Sequence, residues 1–165
     1  MTQFTKTIAS PVGPLKLVAS DKGLVAIIWH DDRPGRVKLA ELEEAPDHPV
    51  LLHAERELGE YFAGDRTSFS VPLDMVGTDF QKAVWNALLT IPFGETRSYG
   101  EIARQVGRPT AFRAVGAANG QNPLSIIAPC HRVIGGDGSL TGFGGGLPAK
   151  QYLLALEGHR DLFAA

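Results

Sequence analysis

A single cysteine, Cys130, stands in 165 residues. That excludes an internal disulfide and argues against a structural zinc site of the usual multi-thiolate kind. One thiol is easily kept reduced, so the chain reads as cytoplasmic. Long hydrophobic runs are missing too: no apolar stretch approaches the roughly 20 residues that span a bilayer. The opening Met1-Thr2-Gln3-Phe4-Thr5-Lys6 lacks the charged-then-apolar layout of a secretory signal. There are no internal repeats and no low-complexity tract. Nor is the chain basic, with 16 Lys and Arg against 18 Asp and Glu for a net charge of −2. What is present is a 44% apolar and 21% charged composition, that of a globular protein with one sizeable domain or two small ones.

The charge is unevenly spread. Residues 1–75 carry 8 basic and 12 acidic side chains, a net of −4; residues 76–165 carry 8 and 6, a net of +2. Arg97, Arg104, Arg108, Arg113 and Arg132 lie within 96–132 against one acid, Glu101. Such a local positive surface can meet phosphates while the rest of the molecule stays acidic.

The first third reads as strands. Phe4–Ile8, Leu15–Ala19 and Leu24–Trp29 are β-prone runs separated by turn chemistry, which predicts an antiparallel meander. Asp31 to Pro49 is polar and reads as loop. Leu51, Ala54, Leu58, Tyr61 and Phe62 recur at helical spacing, and Gly64 sits where that helix would end. The pattern changes around Pro72 to Gly77, which sets a boundary between domains 1–75 and 76–165. Thr78 with Gln81, and Ser98 with Glu101, form capping boxes that open two helices. Gly107-Arg108-Pro109 breaks the second, and Thr110 is expected to cap a third, running to Asn119 or Gly120. Two short helices about a Gly-containing turn is the helix-turn-helix layout. A last helix spans Leu147 to Glu157, with proline inside its start and Gly158 past its end.

The second helix of the pair, Phe112 to Gly120, offers few side chains able to read base edges. Its alanines and glycines let backbone approach DNA closely, which suits the minor groove and binding without sequence preference. Small residues that merely pack on a core would give the same pattern. Ile126 to Val133 reads as a short apolar strand ending in Cys130-His131-Arg132. A thiolate is the reactive form of cysteine, and a neighbouring base favours it. Neighbours on a strand point to opposite faces, so a bend at Pro129 or a bridging water is needed to join the pair. His30, His48 and His53 match no metal-ligand spacing.

Taken together, Tyr99-Gly100-Glu101, Arg113-Ala114-Val115-Gly116, Asn122-Pro123, Pro129-Cys130-His131-Arg132-Val133, Thr141-Gly142-Phe143-Gly144-Gly145-Gly146-Leu147 and Leu156-Glu157-Gly158 resemble the O6-alkylguanine-DNA alkyltransferases. The likeness is dense from Thr78 to Gly158 and looser in Ser10 to Leu15 and Gly23 to Val25. The chain resembles the bacterial stand-alone form. The resemblance implies an α/β N-terminal domain, an antiparallel sheet plus helix of ribonuclease H-like type, followed by a mainly α C-terminal domain with the helix-turn-helix. It implies a monomer acting on double-stranded DNA that bears O6-alkylguanine, and also O4-alkylthymine. The resemblance implies no metal, cofactor or membrane.

Residue by residue, the resemblance makes Cys130 the nucleophile that takes the alkyl group. It makes His131 its base through a water, and Glu157 the acid that orients His131. Tyr99 donates to the departing guanine, and Asn122 ties the helix-turn-helix to the active-site strand. Val133, Phe143, Gly144, Gly145 and Lys150, with Tyr99, line the substrate site. Arg113 fills the space left by the extruded base, and Thr110, Ala114, Gly116, Ala117 and Arg97 complete the DNA contact. Where this chain has Gly144 the family can carry serine, and where it has Phe143 many members have tyrosine, so hydroxyl contacts there are lost. The alkyl thioether is stable, which implies one turnover per molecule. A thiol hydrolase built on Cys130, His131 and Glu157, and a non-catalytic lesion-binding or DNA-binding module, are the alternatives.

Overall fold

The computed structural model describes residues 2–33, 35–135 and 145–158. Two compact units divide the chain between Val76 and Gly77.

The first unit begins with β1 (Thr2–Ile8), β2 (Leu15–Ala19) and β3 (Leu24–Trp29). They pair antiparallel, Ile8 facing Leu15 and Leu15 facing Trp29, with a register shift at Val18/Ala19. This is the meander expected from the turn residues. A fourth strand, β4 (Glu41–Glu44), lies in the stretch read as loop and joins β1 in parallel, giving the order β3-β2-β1-β4. The sheet is therefore mixed, not antiparallel. Glu-Leu-Glu-Glu has little strand propensity of its own; the unpaired edge of β1 supplies the ladder, and its charges suit an edge strand. Helix α1 (Pro49–Phe62) buries Leu51, Ala54, Leu58 and Tyr61 against the sheet. Val37, Leu39 and Leu42 pack on Val18, Val25 and Ala26.

The second unit contains α2 (Asp79–Leu88), β5 (Arg97–Ser98), α3 (Tyr99–Gln105), α4 (Phe112–Gly120), a single 3₁₀ turn (Cys130–Arg132), β6 (Val133–Ile134) and α5 (Leu147–Leu156). Both expected capping boxes form, Thr78 with Gln81 and Ser98 with Glu101. Helix α3 ends at Gly107, whose φ of +79° lies in the left-handed region. There Gly107 N–H donates to Arg104 O and Arg108 N–H to Ala103 O, at 3.1 and 2.9 Å. That pair of bonds is the Schellman stop. Thr110 does not cap α4: the N-cap is Ala111, with no side-chain bond. A backbone bond from Ala111 N to Arg108 O closes the turn instead, so the helix starts one residue later than expected. Parallel pairing of Arg97 with Val133 and Ser98 with Ile134 ties the start of α3 to the chain leaving the Cys130 turn.

Candidate active site around a buried cysteine

The segment before Cys130 is not a strand. Leu124 to Pro129 forms turns, with Ala128 N bonded to Leu124 O at 2.8 Å, and Ile126 sits at φ +76°. A β-branched residue in that region is strained. The run is fully buried, yet without a ladder its polar backbone must be satisfied some other way. Asn122 does this: its amide donates to Ala128 O at 2.7 Å and its oxygen accepts from Leu124 N at 3.0 Å. Asn119, on the inner side of α4, donates to Cys130 O at 3.5 Å. The tie expected of Asn122 thus runs to a turn. In a 3₁₀ turn successive side chains diverge by about 120° rather than 180°, so Cys130 and His131 are not forced to opposite faces.

His131 and Glu157 are buried, and His131 Nε2 lies 2.8 Å from Glu157 Oε2. An ionised carboxylate only accepts, so Nε2 carries the proton and Nδ1 offers a lone pair. That Nδ1 is buried and has no partner among the described residues. Burial holds the His131 pKa below its ordinary 6.5, against the opposing pull of Glu157, and the ring is neutral at pH 7. Burial alone would raise the Glu157 pKa. Its bonds to His131 and Arg132, and the cation of Arg132, instead hold it down at about 2.

Arg132 explains why that carboxylate can stay charged inside the protein. Nε donates to Oε1 at 2.7 Å and Nη2 to Oε2 at 3.0 Å, while Nη1 donates to Ile91 O at 2.6 Å. The guanidinium also lies 5.8 Å from the Phe93 ring centre. Arg132 is 6% exposed, so the reading that counted it within a phosphate-facing surface is corrected. Its fork geometry fits a carboxylate, and the bond it makes is internal. The sequence carried one signal of this: a charge amid apolar residues 126–134 is rarely buried without a partner.

Lys150, on α5, is fully buried and donates to Val133 O at 2.8 Å. Burial pulls its pKa down to about 8, and attraction to Cys130 opposes that fall. The same attraction favours negative charge on the sulfur. Val133 is buried directly after the turn, and Gly145 is half-buried ahead of α5. Phe143 and Gly144 lie outside the described residues. Tyr99, half-buried, opens α3 against α4: a β-carbon built on Gly116 would lie 3.8 Å from its ring.

On α4, Arg113, Ala114 and Ala117 are exposed, Gly116 is half-buried, and Val115, Ala118 and Asn119 face inward. Thr110 is exposed as well. Arg97 is half-buried and ion-paired to Glu95 at 3.0 Å. Two groups missed in sequence are Asn119 and the Arg132 clamp.

A lone thiol beside a neutral, carboxylate-oriented imidazole and a buried amine defines a protein that uses cysteine as a nucleophile. Two family models match consecutive parts of the chain. The ribonuclease-like domain of 6-O-methylguanine DNA methyltransferase covers residues 4–75, and its DNA binding domain covers residues 79–159. The chain belongs to the 6-O-methylguanine DNA methyltransferase family. It is 52% identical over 157 residues to a methylated-DNA–protein-cysteine methyltransferase of Mycobacterium bovis, covering 94% of this chain and 92% of that one. A Methanosarcina acetivorans protein of the same name is 50% identical over 154 residues, covering 90% and 94%. Among solved structures, Mycobacterium tuberculosis OGT in complex with DNA is 49% identical, with a TM-score of 0.85 over 98% of this chain and 99% of that chain.

Proposed function

We propose that the chain repairs DNA by direct reversal, moving the alkyl group of an extruded O6-alkylguanine onto Cys130 and keeping it there. The carrying observation is the buried Glu157–His131 pair next to the sole cysteine, with the imidazole Nδ1 open to a proton. The Cys130 thiol passes its proton through a water to His131 Nδ1. The thiolate then attacks the alkyl carbon in line; the S–C bond forms, and the C–O6 bond breaks with its electron pair leaving on guanine. Tyr99 donates a hydrogen bond to the purine as negative charge develops there. Glu157 holds the tautomer and offsets the imidazolium charge, Arg132 holds Glu157, and Lys150 offsets the thiolate. Val133, Gly145 and, outside the described residues, Phe143 and Gly144 are assigned to the pocket wall. O4-alkylthymine presents the same kind of O-alkyl group and is proposed as a second substrate.

A thiol cannot reach O6 inside the base stack, so the nucleotide must leave it. The α3–α4 pair is read as a helix-turn-helix whose second helix enters the minor groove without reading sequence. The exposure of Ala114 and Ala117, which do not pack on the core, supports this reading. Arg113 fills the gap left by the base, and Thr110 and Arg97 flank the backbone. The first unit, with three antiparallel strands and a fourth joined in parallel to β1, supports a ribonuclease H-like scaffold. A DNA substrate is compatible with the cytoplasmic reading drawn from the lone, easily reduced thiol.

The test is mass spectrometry after exposure to excess O6-methylguanine DNA. One added methyl group, mapped to Cys130, is expected. Sustained transfer well above one per chain, or a methyl group elsewhere, refutes the reading. Binding to the lesion DNA with no methyl transfer by the wild-type protein would instead favour the non-catalytic binding module.

A further inference from the structure

The outward side of α4 carries one large group that alkyl transfer leaves unused. Phe112, the first residue of the helix, is 51% exposed; Tyr152, at 39%, is the other exposed aromatic among the described residues. At about 100° per residue, exposed Phe112, Arg113, Ala114 and Ala117 share one side of α4 with half-buried Gly116 and Gly120. Arg113 falls near the middle of that side. Phe112 lies on the flank it shares with Gly116, one turn further on, and the Tyr99 ring rests against Gly116. The phenyl ring therefore stands out from a surface of alanine and glycine, beside Arg113 and towards the Tyr99 side.

We infer that Phe112 is a second DNA wedge, entering the minor groove beside Arg113 and stacking on the base step next to the extruded nucleotide. The inference rests on α4 being the DNA-facing helix. Apolar side chains inserted from the minor groove partly unstack a base step. The small residues around Phe112 let the helix come close enough for its ring to reach one. Arg113 contributes a charge attracted to the phosphates and a guanidinium plane; Phe112 contributes a face on which a base of any identity can stack. Extrusion costs a few kcal/mol from an intact stack and least from a strand already unpaired. A wedge that lowers this cost acts on duplex substrate and has nothing to act on when the base is free.

Phe112→Ala tests this, because removing an exposed ring from a helix in favour of alanine leaves the fold intact. Single-turnover methyl transfer is measured on three substrates: O6-methylguanine opposite cytosine in a duplex, the same lesion in a single strand, and the free modified base. The expected result is a loss of about tenfold on the duplex, a smaller loss on the single strand, and a free-base rate unchanged within about twofold. Phe112→Trp is expected to retain most of the duplex rate. Equal duplex rates for Phe112→Ala and wild type overturn the wedge. So does an equal loss on all three substrates, which would mark a structural role. Wild-type transfer from the duplex separates the two readings: without it the proposed function itself fails, and with it only the wedge is at stake.

Discussion

Glu157→Gln leaves the side-chain volume unchanged while removing one charge and one acceptor, and the surrounding donors determine its cost. His131 Nε2 at 2.8 Å, Arg132 Nε at 2.7 Å and Arg132 Nη2 at 3.0 Å all donate to this side chain. A carboxylate offers two accepting oxygens, whereas an amide offers one and turns an NH₂ group on the other side. If the amide oxygen stays with Arg132, the NH₂ meets the Nε2 proton of His131. The ring must then move its proton to Nδ1, the nitrogen required as base. If the amide turns round, the NH₂ meets the guanidinium. Either way Arg132 stays buried without its counter-charge, which costs about 3–5 kcal/mol when one partner of a buried pair is removed. The depressed Glu157 pKa leads to a similar figure: from its ordinary 4.5 down to about 2 corresponds to on the order of 3 kcal/mol.

The depression also fixes the sign of the pH dependence. The wild-type carboxylate stabilises the fold fully above its unfolded pKa of 4.5 and loses that contribution as pH falls towards about 2. Urea unfolding of wild type and Glu157→Gln should therefore differ by about 3–5 kcal/mol at pH 7, and the difference should shrink steadily from pH 5 towards pH 2. Methyl transfer at pH 7, in single turnover on folded protein, should fall by about 10²–10⁴-fold, as expected when a catalytic base is held in the wrong tautomer. A variant within about 1 kcal/mol of wild type and within about threefold in rate refutes both the stability and the tautomer assignments.

Lys150 bears on alkaline stability. Its pKa falls from 10.5 to about 8 in the folded chain, so the native state releases a proton that the unfolded chain still holds. Wild-type stability gains a positive slope with pH between about 8 and 10.5, and Lys150→Met, compared by urea unfolding at pH 7 and 9.5, should lack that slope; identical pH profiles argue against a lowered Lys150 pKa in the folded chain. Asn122→Leu strips Leu124 N of its partner and leaves Ala128 O with the bond from Cys130 N alone, and is expected to lose about 1–3 kcal/mol by the same measurement, the cost of one buried group left unpaired. A loss under about 1 kcal/mol would mean that water satisfies the turn instead.

The parts of this molecule legible in its sequence are those whose chemistry is completed within a turn or two. Thr78 with Gln81 and Ser98 with Glu101 close their boxes three residues apart. Gly64 and Gly107 stop their helices by adopting a backbone conformation few other residues tolerate. The turn residues between the first three strands act just as locally, Gly13 by the same left-handed conformation. Chain-local cues also made the motif around Cys130 recognisable, although not its conformation.

Tertiary structure decided everything that needed a partner distant along the chain. β4 exists because β1 has an open edge, not because Glu41–Glu44 prefers to be a strand. The apolar run before Cys130 turns rather than extends because the side chain of Asn122 takes the place of a neighbouring strand. Arg132, which from sequence reads as one more surface cation, instead meets Glu157 twenty-five positions away. A buried charge is tolerable only beside its counter-charge, and which residue supplies that counter-charge is set by how α5 folds back on the Cys130 turn.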